Sequence, residues 1–457
     1  MRTYDSSENE RLKPHEIDSK TNNSSTEVIL WDPLEILPRW RKWIWLGLSL
    51  IIIAGNARFI IGVIDPIDQE QGLVFDFIQE WVSGRNLMVG LPVYANLNDS
   101  LKYHSKGLGF YPGTLLLDYN AHPPASVVLL LPLSMLTYRS AHLIWNIVSL
   151  LLLILTLALI VYTLKIRINV TGKLTTLALL SCLHPLHLQF IHGLLHIILL
   201  LLITVAWLSD RENLYTLAGL AIDMAAAVKV FPGFLLLYFV MKGKWKAVLS
   251  GLITVAIITL ITLPIIGTQT YIDYFTVVIP STARYRTDFA NVSLAGFWVK
   301  LFEGAIRLKY QPIPAAYPSV LLSKIATPIS LTIVAILLYK TTMQAKSRTE
   351  KDLAYGLTLT SILMVSPIRW DHYFVLLILP VAIVWCNLPA NTWARLLLIS
   401  FLSLNTLSLM NFRDVDFSTV KPWYVVTRGS IGNYCLFLFY LLQLTIVYKR
   451  PPQLNLA

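Results

Sequence analysis

Apolar residues run through this chain in about a dozen separate blocks, rich in Leu, Ile and Val and divided by short polar breaks that are often basic. A helix needs about 20 residues to cross a bilayer, so blocks of this length predict membrane crossings. They lack the period-two alternation of a lipid-facing barrel strand, and helices are then the only spanning solution. The fold class expected is an all-α polytopic membrane protein with about twelve transmembrane helices. The first crossing runs from Lys42 to about Ile64 and the second over residues 139–164. Five more are expected near 173–191, 194–209, 213–228, 231–241 and 245–266, and the last five near 319–340, 351–367, 372–388, 393–411 and 429–448. The apolar run from Ala125 to Leu136 is too short to cross and holds Pro132, so it is expected at the interface or as a re-entrant segment. Residues 213–228 and 231–241 are short and joined by Lys229-Val230-Phe231-Pro232, which predicts a broken hairpin with Lys229 near the outer face.

Composition leaves little room for anything else. Only 14% of the residues are charged, 55% are hydrophobic, and mean hydropathy is +0.61, whereas soluble domains carry about 25% charged residues. The net charge of +11 records topology and predicts no nucleic-acid partner. Lys165, Arg167 and Lys173, then Lys242, Lys244 and Lys246, then Lys340, Lys346, Arg348 and Lys351, and finally Lys449 and Arg450 all fall inside if both termini are cytoplasmic. Residues 65–120 and 267–318 are then two long outer segments. The domain reading is a disordered cytoplasmic tail over 1–38 without a signal peptide, one membrane domain over 39–450, and a short cytoplasmic tail over 451–457. Cys182, Cys386 and Cys435 lie inside apolar blocks and predict neither disulfides nor thiolate metal sites.

Polar chemistry concentrates on the expected outer side. His104, His122, His142, His184, His187, His192, His196 and His372 sit at or near outer ends of crossings, and His15 alone is inside. Residues 72–82 carry apolar side chains at near-helical spacing and predict an amphipathic helix on the outer surface. Asp76 lies in it between Phe75 and Phe77. It is either a helix-start carboxylate satisfying free amides or a general base, since partial desolvation raises a carboxylate's pKa toward a useful range. Ser366-Pro367-Ile368-Arg369-Trp370-Asp371-His372-Tyr373 places three ionisable groups at one junction, either as an Arg369–Asp371 ion pair or as a phosphate clamp through Arg369 and His372. His184, His187, His192 and His196 raise the question of a metal, but no carboxylate of ligand spacing joins them and none is expected.

An ordered series of short motifs resembles the family 87 glycosyltransferases: Asp76-Phe77 with Trp81, Gly90-Leu91-Pro92-Val93-Tyr94, Tyr119-Asn120-Ala121-His122-Pro123-Pro124, Ala227-Val228-Lys229-Val230-Phe231-Pro232-Gly233, Asn291-Val292-Ser293-Leu294, Ser366-Pro367 and Trp370-Asp371-His372. The resemblance implies a GT-C fold with interfacial helices in the first outer loop. It implies a polyprenyl-phosphate sugar as donor, and a catalytic carboxylate in that loop, which maps onto Asp76. Where relatives often carry Gly-Gln-x-Asn, this chain reads Gly193-Leu194-Leu195-His196. The expected activity is inverting transfer of a mannose-like hexose or a pentose to a glycan or glycolipid hydroxyl at the outer face of the plasma (inner) membrane. Asp76 is the expected base, and Lys229, Arg369 and His372 the expected ligands of the donor phosphate. Tyr94, His122, Asn291 and Asp371 are the expected substrate contacts. No cofactor is assigned, and the absence of a Gly-rich phosphate loop fits a donor without a nucleotide. Two other readings stay open: a secondary transporter with Asp223 in a proton path, and a catalytically inactive scaffold of the same fold.

Overall fold

The computed structural model describes residues 29–31, 39–56, 76–105, 118–306, 312–388, 398, 401 and 420–449. These are overwhelmingly helical. Strand β1 (Ile29–Trp31) and helix α1 (Arg39–Gly55) precede the first segment expected to be outer, which contains α2 (Ile78–Met88) and α3 (Leu97–Tyr103). Then come α4 (Pro124–Ser134), α5 (Tyr138–Thr163), β2 (Ile166–Ile168), α6 (Val170–Cys182), α7 (His184–Ile191), α8 (His196–Arg211), α9 (Tyr215–Val228), α10 (Leu236–Met241) and α11 (Trp245–Ile266). The second segment expected to be outer contains α12 (Thr268–Asp273), α13 (Ile279–Thr282) and α14 (Leu294–Phe302), and the chain continues through α15 (Val320–Gln344), α16 (Arg348–Val365), α17 (Ile378–Asn387), α18 (Pro422–Val426) and α19 (Ile431–Lys449).

The helix boundaries follow local chemistry. Thr137, Asn169 and Ser293 each accept a hydrogen bond from a backbone amide of the first turn of α5, α6 and α14, which satisfies amides that have no partner in the helix. Ser347 and Glu350 form a reciprocal capping box at α16. α9 and α11 pack with almost no gap, since a Cβ at Gly219 would lie 1.9 Å from the Ala247 carbonyl oxygen; small residues allow such backbone approach between membrane helices.

Four described segments are long and apolar enough to cross a membrane alone: α5, α11, α15 and the run Pro422–Tyr448. The bent pair α6 and α7, inclined at 64°, makes a fifth if it is one span. Along α11 and α15, Leu249, Leu252, Ile257, Leu260, Leu321, Ile329 and Ile336 all point outward, an apolar surface suited to lipid. The protein is therefore a helical membrane protein, but the twelve expected crossings do not all appear as spanning helices. α8 has 16 residues, α9 has 14 and α10 only 6. α16 reaches 18 residues, opens with Arg348, Glu350, Lys351 and Asp352, and buries most of its length against neighbouring helices. Alternating apolar blocks alone do not distinguish a lipid-facing span from an interior helix. The crossing expected over 393–411 lies outside the described residues apart from 398 and 401.

Two further expectations are modified. β1, inside the segment read as a tail, pairs in parallel with β2, Ile29 opposite Ile166; the rest of 1–38 lies outside the described residues. The helix expected on the outer surface over 72–82 begins only at Ile78, and residues 72–75 are outside the described set. It is not a surface helix: Gln79, Glu80, Ser83 and Asn86 on its polar side are as buried as Ile78, Trp81 and Val82. The 11-residue α4 covers one flank, and the segment after Tyr119 covers the polar one.

Candidate active site

Asp76 stands just before α2, with the Asp76 carbonyl accepting the Gln79 amide at 3.0 Å. No side-chain hydrogen bond caps this helix, so the carboxylate is not spent on the helix start. It is about one-third exposed and lies 3.9 Å from His192 Nδ1. The backbone reinforces this placement, because Phe77 N–H donates to the His192 carbonyl at 2.9 Å. Gly193 permits the approach. Its φ is +62°, and a Cβ there would lie 2.7 Å from Phe77 Cβ and 2.9 Å from the His142 ring, so both the left-handed backbone and the space require glycine.

Lys229 sits where α9 ends in an extended residue, before the 3-10 turn Phe231–Leu235. The break expected from Lys229-Val230-Phe231-Pro232 is present. Its ammonium donates to His196 Nε2 at 3.2 Å and lies 4.2 Å from the centre of the Tyr373 ring. The His196 ring is 5.0 Å from His372 and 4.4 Å from Tyr373. Lys229, His196, His372 and Tyr373, far apart in sequence, thus form one polar cluster, and His192, just before His196, carries the contact to Asp76.

Glu80, one turn after Asp76, is in direct contact with His122 Nδ1. The Tyr94 hydroxyl donates to the His122 carbonyl at 2.7 Å. Burial, with Tyr274 and Glu80 nearby, pushes the Tyr94 phenol well above its usual range, so it remains a donor. Tyr94 is 5% exposed and acts by holding His122.

The junction at 366–372 differs from its sequence reading. Asn291 is fully buried and both ends of its amide are engaged: Nδ2 donates to Pro367 O at 3.1 Å and to Arg286 O at 3.2 Å, while Oδ1 accepts from the amides of Ser293 and Arg369, each at 3.1 Å. The expected sugar contact is therefore a pin between the second outer segment and this junction. Arg369 is likewise fully buried, with its guanidinium on the Val292 carbonyl and 5.2 Å from the Phe374 ring centre. Its backbone is tied to Asn291 and Val292, and Nε and Nη1 of its guanidinium have no hydrogen-bond partner among the described residues. Asp371 lies 4.0 Å from His184 Nε2.

Behind that last pair the surroundings turn apolar. A cavity of about 330 Å³ is lined by Pro185 and Leu186 of α7, Phe374 and Val375 after the junction, and continues past Leu157, Leu180 and Trp385 to Trp45 of α1. Sequence reasoning named Asp76, Lys229, His122 and His372 but did not assign roles to His192, His196 and Tyr373, or pair Glu80 with His122. The one signal for them was the crowding of histidines at outer helix ends.

The chain matches the model of glycosyltransferase family 87 over residues 120–367. That span includes His122, His192, His196, Lys229 and Asn291; Asp76 precedes it, and Arg369, Asp371 and His372 follow within a few residues. Over 320 residues, 68% of this chain and 73% of the relative, it is 25% identical to a polyprenol-phosphate-mannose-dependent alpha-(1-2)-phosphatidylinositol pentamannoside mannosyltransferase of Mycolicibacterium smegmatis. With the family match running over more than half its length, this chain belongs to glycosyltransferase family 87.

Proposed function

We propose that this glycosyltransferase moves a mannose-like sugar from a polyprenyl phosphate to a hydroxyl of a glycan or glycolipid, with inversion at the anomeric carbon. The observation that carries the reading is the adjacency of two environments along α7 and the 371–377 turn. Lys229, His196 and His372 cluster and His192 reaches Asp76, while an apolar cavity of about 330 Å³ begins at Pro185, the residue after His184, and at Phe374 and Val375. A lipid-linked sugar has the same division, a charged sugar-phosphate head on a long hydrocarbon chain. The similarity to an enzyme named as polyprenol-phosphate-mannose-dependent supports the same donor class.

In this mechanism the acceptor hydroxyl gives its proton to the Asp76 carboxylate as its oxygen attacks the anomeric carbon. The bond from that carbon to the phosphate oxygen breaks on the opposite face, and the lipid phosphate leaves with the electron pair. Lys229 and His372 supply positive charge and hydrogen bonds where the negative charge grows. His192 orients the base. Asp371, beside His184, is assigned to the sugar end of the donor.

The site opens on the extracytoplasmic side of the plasma membrane, with both termini cytoplasmic. The parallel pairing of β1 with β2 supports this, since it keeps the N-terminal segment beside the basic stretch Lys165 to Lys173. Asp223, on which a transporter's proton path would rest, is 4% exposed and packs against Gly251. His196, where relatives often carry Asn, still gives Lys229 a polar partner, which favours an active enzyme over an inert scaffold. The test is transfer of radiolabelled mannose from polyprenyl phosphate by the purified chain in lipid nanodiscs, with release of sugar-free lipid phosphate. Absence of transfer to any glycolipid or glycan fraction of the membrane would remove the reading.

A further inference from the structure

His122 is held more elaborately than the proton transfer at Asp76 requires. α2 turns Gln79, Glu80 and Ser83 toward residues 120–122, and each takes one of them. Gln79 Oε1 accepts the Ala121 amide at 3.1 Å, Ser83 Oγ accepts from Asn120 Nδ2 at 3.2 Å, and Glu80 Oε1 contacts His122 Nδ1. Asn120 Oδ1 accepts the amide of His122 at 3.0 Å, and Tyr94 holds its carbonyl. The pair is deep, with Glu80 1% and His122 6% exposed.

A carboxylate on Nδ1 keeps the proton there, so Nε2 carries a lone pair and can only accept while the ring is neutral. Among the described residues Nε2 has no hydrogen-bond partner, and it is not among the sealed polar atoms. Glu80 lies one turn after Asp76, so the ring sits on the helix that begins just after the proposed base. A histidine that served only to tie residues 120–122 to α2 would have no use for an open acceptor so near Asp76.

We propose that Glu80 and His122 form a sugar-reading pair, in which Glu80 holds the imidazole so that Nε2 accepts a hydrogen bond from one hydroxyl of the sugar being transferred. His122 is the specificity-determining residue and Glu80 the positioning residue behind it. The inference rests on the reading of this chain as a lipid-phosphate-sugar transferase. A buried acceptor built for a hydroxyl is left unpaired when that hydroxyl is missing, and the site then rejects the analogue.

The experiment measures binding, then transfer, of polyprenyl-phosphate mannose and its 2-, 3-, 4- and 6-deoxy forms by the full chain in nanodiscs. In the wild type one deoxy donor is expected to bind about ten- to a hundred-fold more weakly than the parent. In His122→Ala that donor and the parent bind alike, while the other deoxy donors keep their wild-type ratios. His122→Gln, whose side-chain oxygen reaches about as far as Nε2, retains part of the discrimination. Glu80→Gln keeps the size but frees the ring's tautomer, and lowers the discrimination with KM rising more than kcat falls. A purely structural His122 would change thermal stability and leave the ratios between donors untouched; that result in a folded His122→Ala overturns the proposal alone. If the wild type binds no sugar-phosphate lipid, the proposal falls together with the reading beneath it.

Discussion

His192 holds Asp76 from two directions: its carbonyl accepts the amide of the next residue, Phe77, at 2.9 Å, and its ring nitrogen lies 3.9 Å from the carboxylate. One contact fixes the backbone on which the proposed base stands and the other lies beside its side chain. Both depend on the turn at Gly193.

Gly193→Ala is therefore expected to damage the site from outside it. A left-handed non-glycine residue costs about 1–2 kcal/mol, and the new Cβ would lie 2.7 Å from Phe77 Cβ, which forces the His192–Asp76 contact apart. Thermal unfolding and sugar transfer measured on the same preparation check this. Transfer should fall further than the loss of folded protein accounts for; wild-type turnover per folded molecule would show that the turn does not serve Asp76.

Lys229→Met removes the ammonium beside His196 and Tyr373 and leaves a side chain of similar length. Charge-assisted hydrogen bonds contribute about 1.5–3 kcal/mol, so sugar-free polyprenyl phosphate is expected to bind about ten- to a hundred-fold more weakly, with the fold intact. Titration of the lipid phosphate into the variant reads this directly. Unchanged affinity would locate the phosphate elsewhere.

Asn291→Ala addresses the residue whose role the geometry revised. It strips partners from the Arg369 and Ser293 amides and the Pro367 carbonyl, all at a buried junction. Leaving such groups unsatisfied costs about 1–3 kcal/mol each at most, so a loss of about 2–4 kcal/mol in unfolding free energy is expected. The surviving folded enzyme keeps its KM for the donor. A stable variant with a raised KM would restore Asn291 as a sugar contact.

Orientation is tested at Lys102 of α3, whose side chain is 76% exposed. In Lys102→Cys the thiol is expected to react with an impermeant reagent in intact cells. Labelling only after the inner face is opened would put the site on the cytoplasmic side.

How much of this was legible in the sequence depends on the kind of contact. The helical membrane class, the break at Lys229 and the short segment at α4 follow from apolar run length and proline placement, which are local. The number of spanning helices was not legible, because α8 and α16 are apolar for the sake of protein neighbours and their sequences resemble lipid-facing spans. Arg369 and His372 are neighbours in the chain, yet the guanidinium packs against Phe374 while the His372 ring packs against His196, the partner of Lys229. Glu80 and His122 are 42 residues apart, and no periodicity connects them; the contact arises because residues 119–123 lie across the polar side of α2.

In the proposed mechanism Asp76 takes the acceptor's proton during sugar transfer, and Asp76→Asn removes that capacity alone. Asparagine keeps the shape and would serve a helix start nearly as well, within about 1 kcal/mol, but it accepts no proton. Transfer from polyprenyl-phosphate mannose by the purified variant, with donor affinity measured alongside, is predicted to fall by about a hundred- to ten-thousand-fold while donor binding and thermal stability stay at wild-type values. Near-normal transfer by a folded, donor-binding Asp76→Asn enzyme would contradict the account.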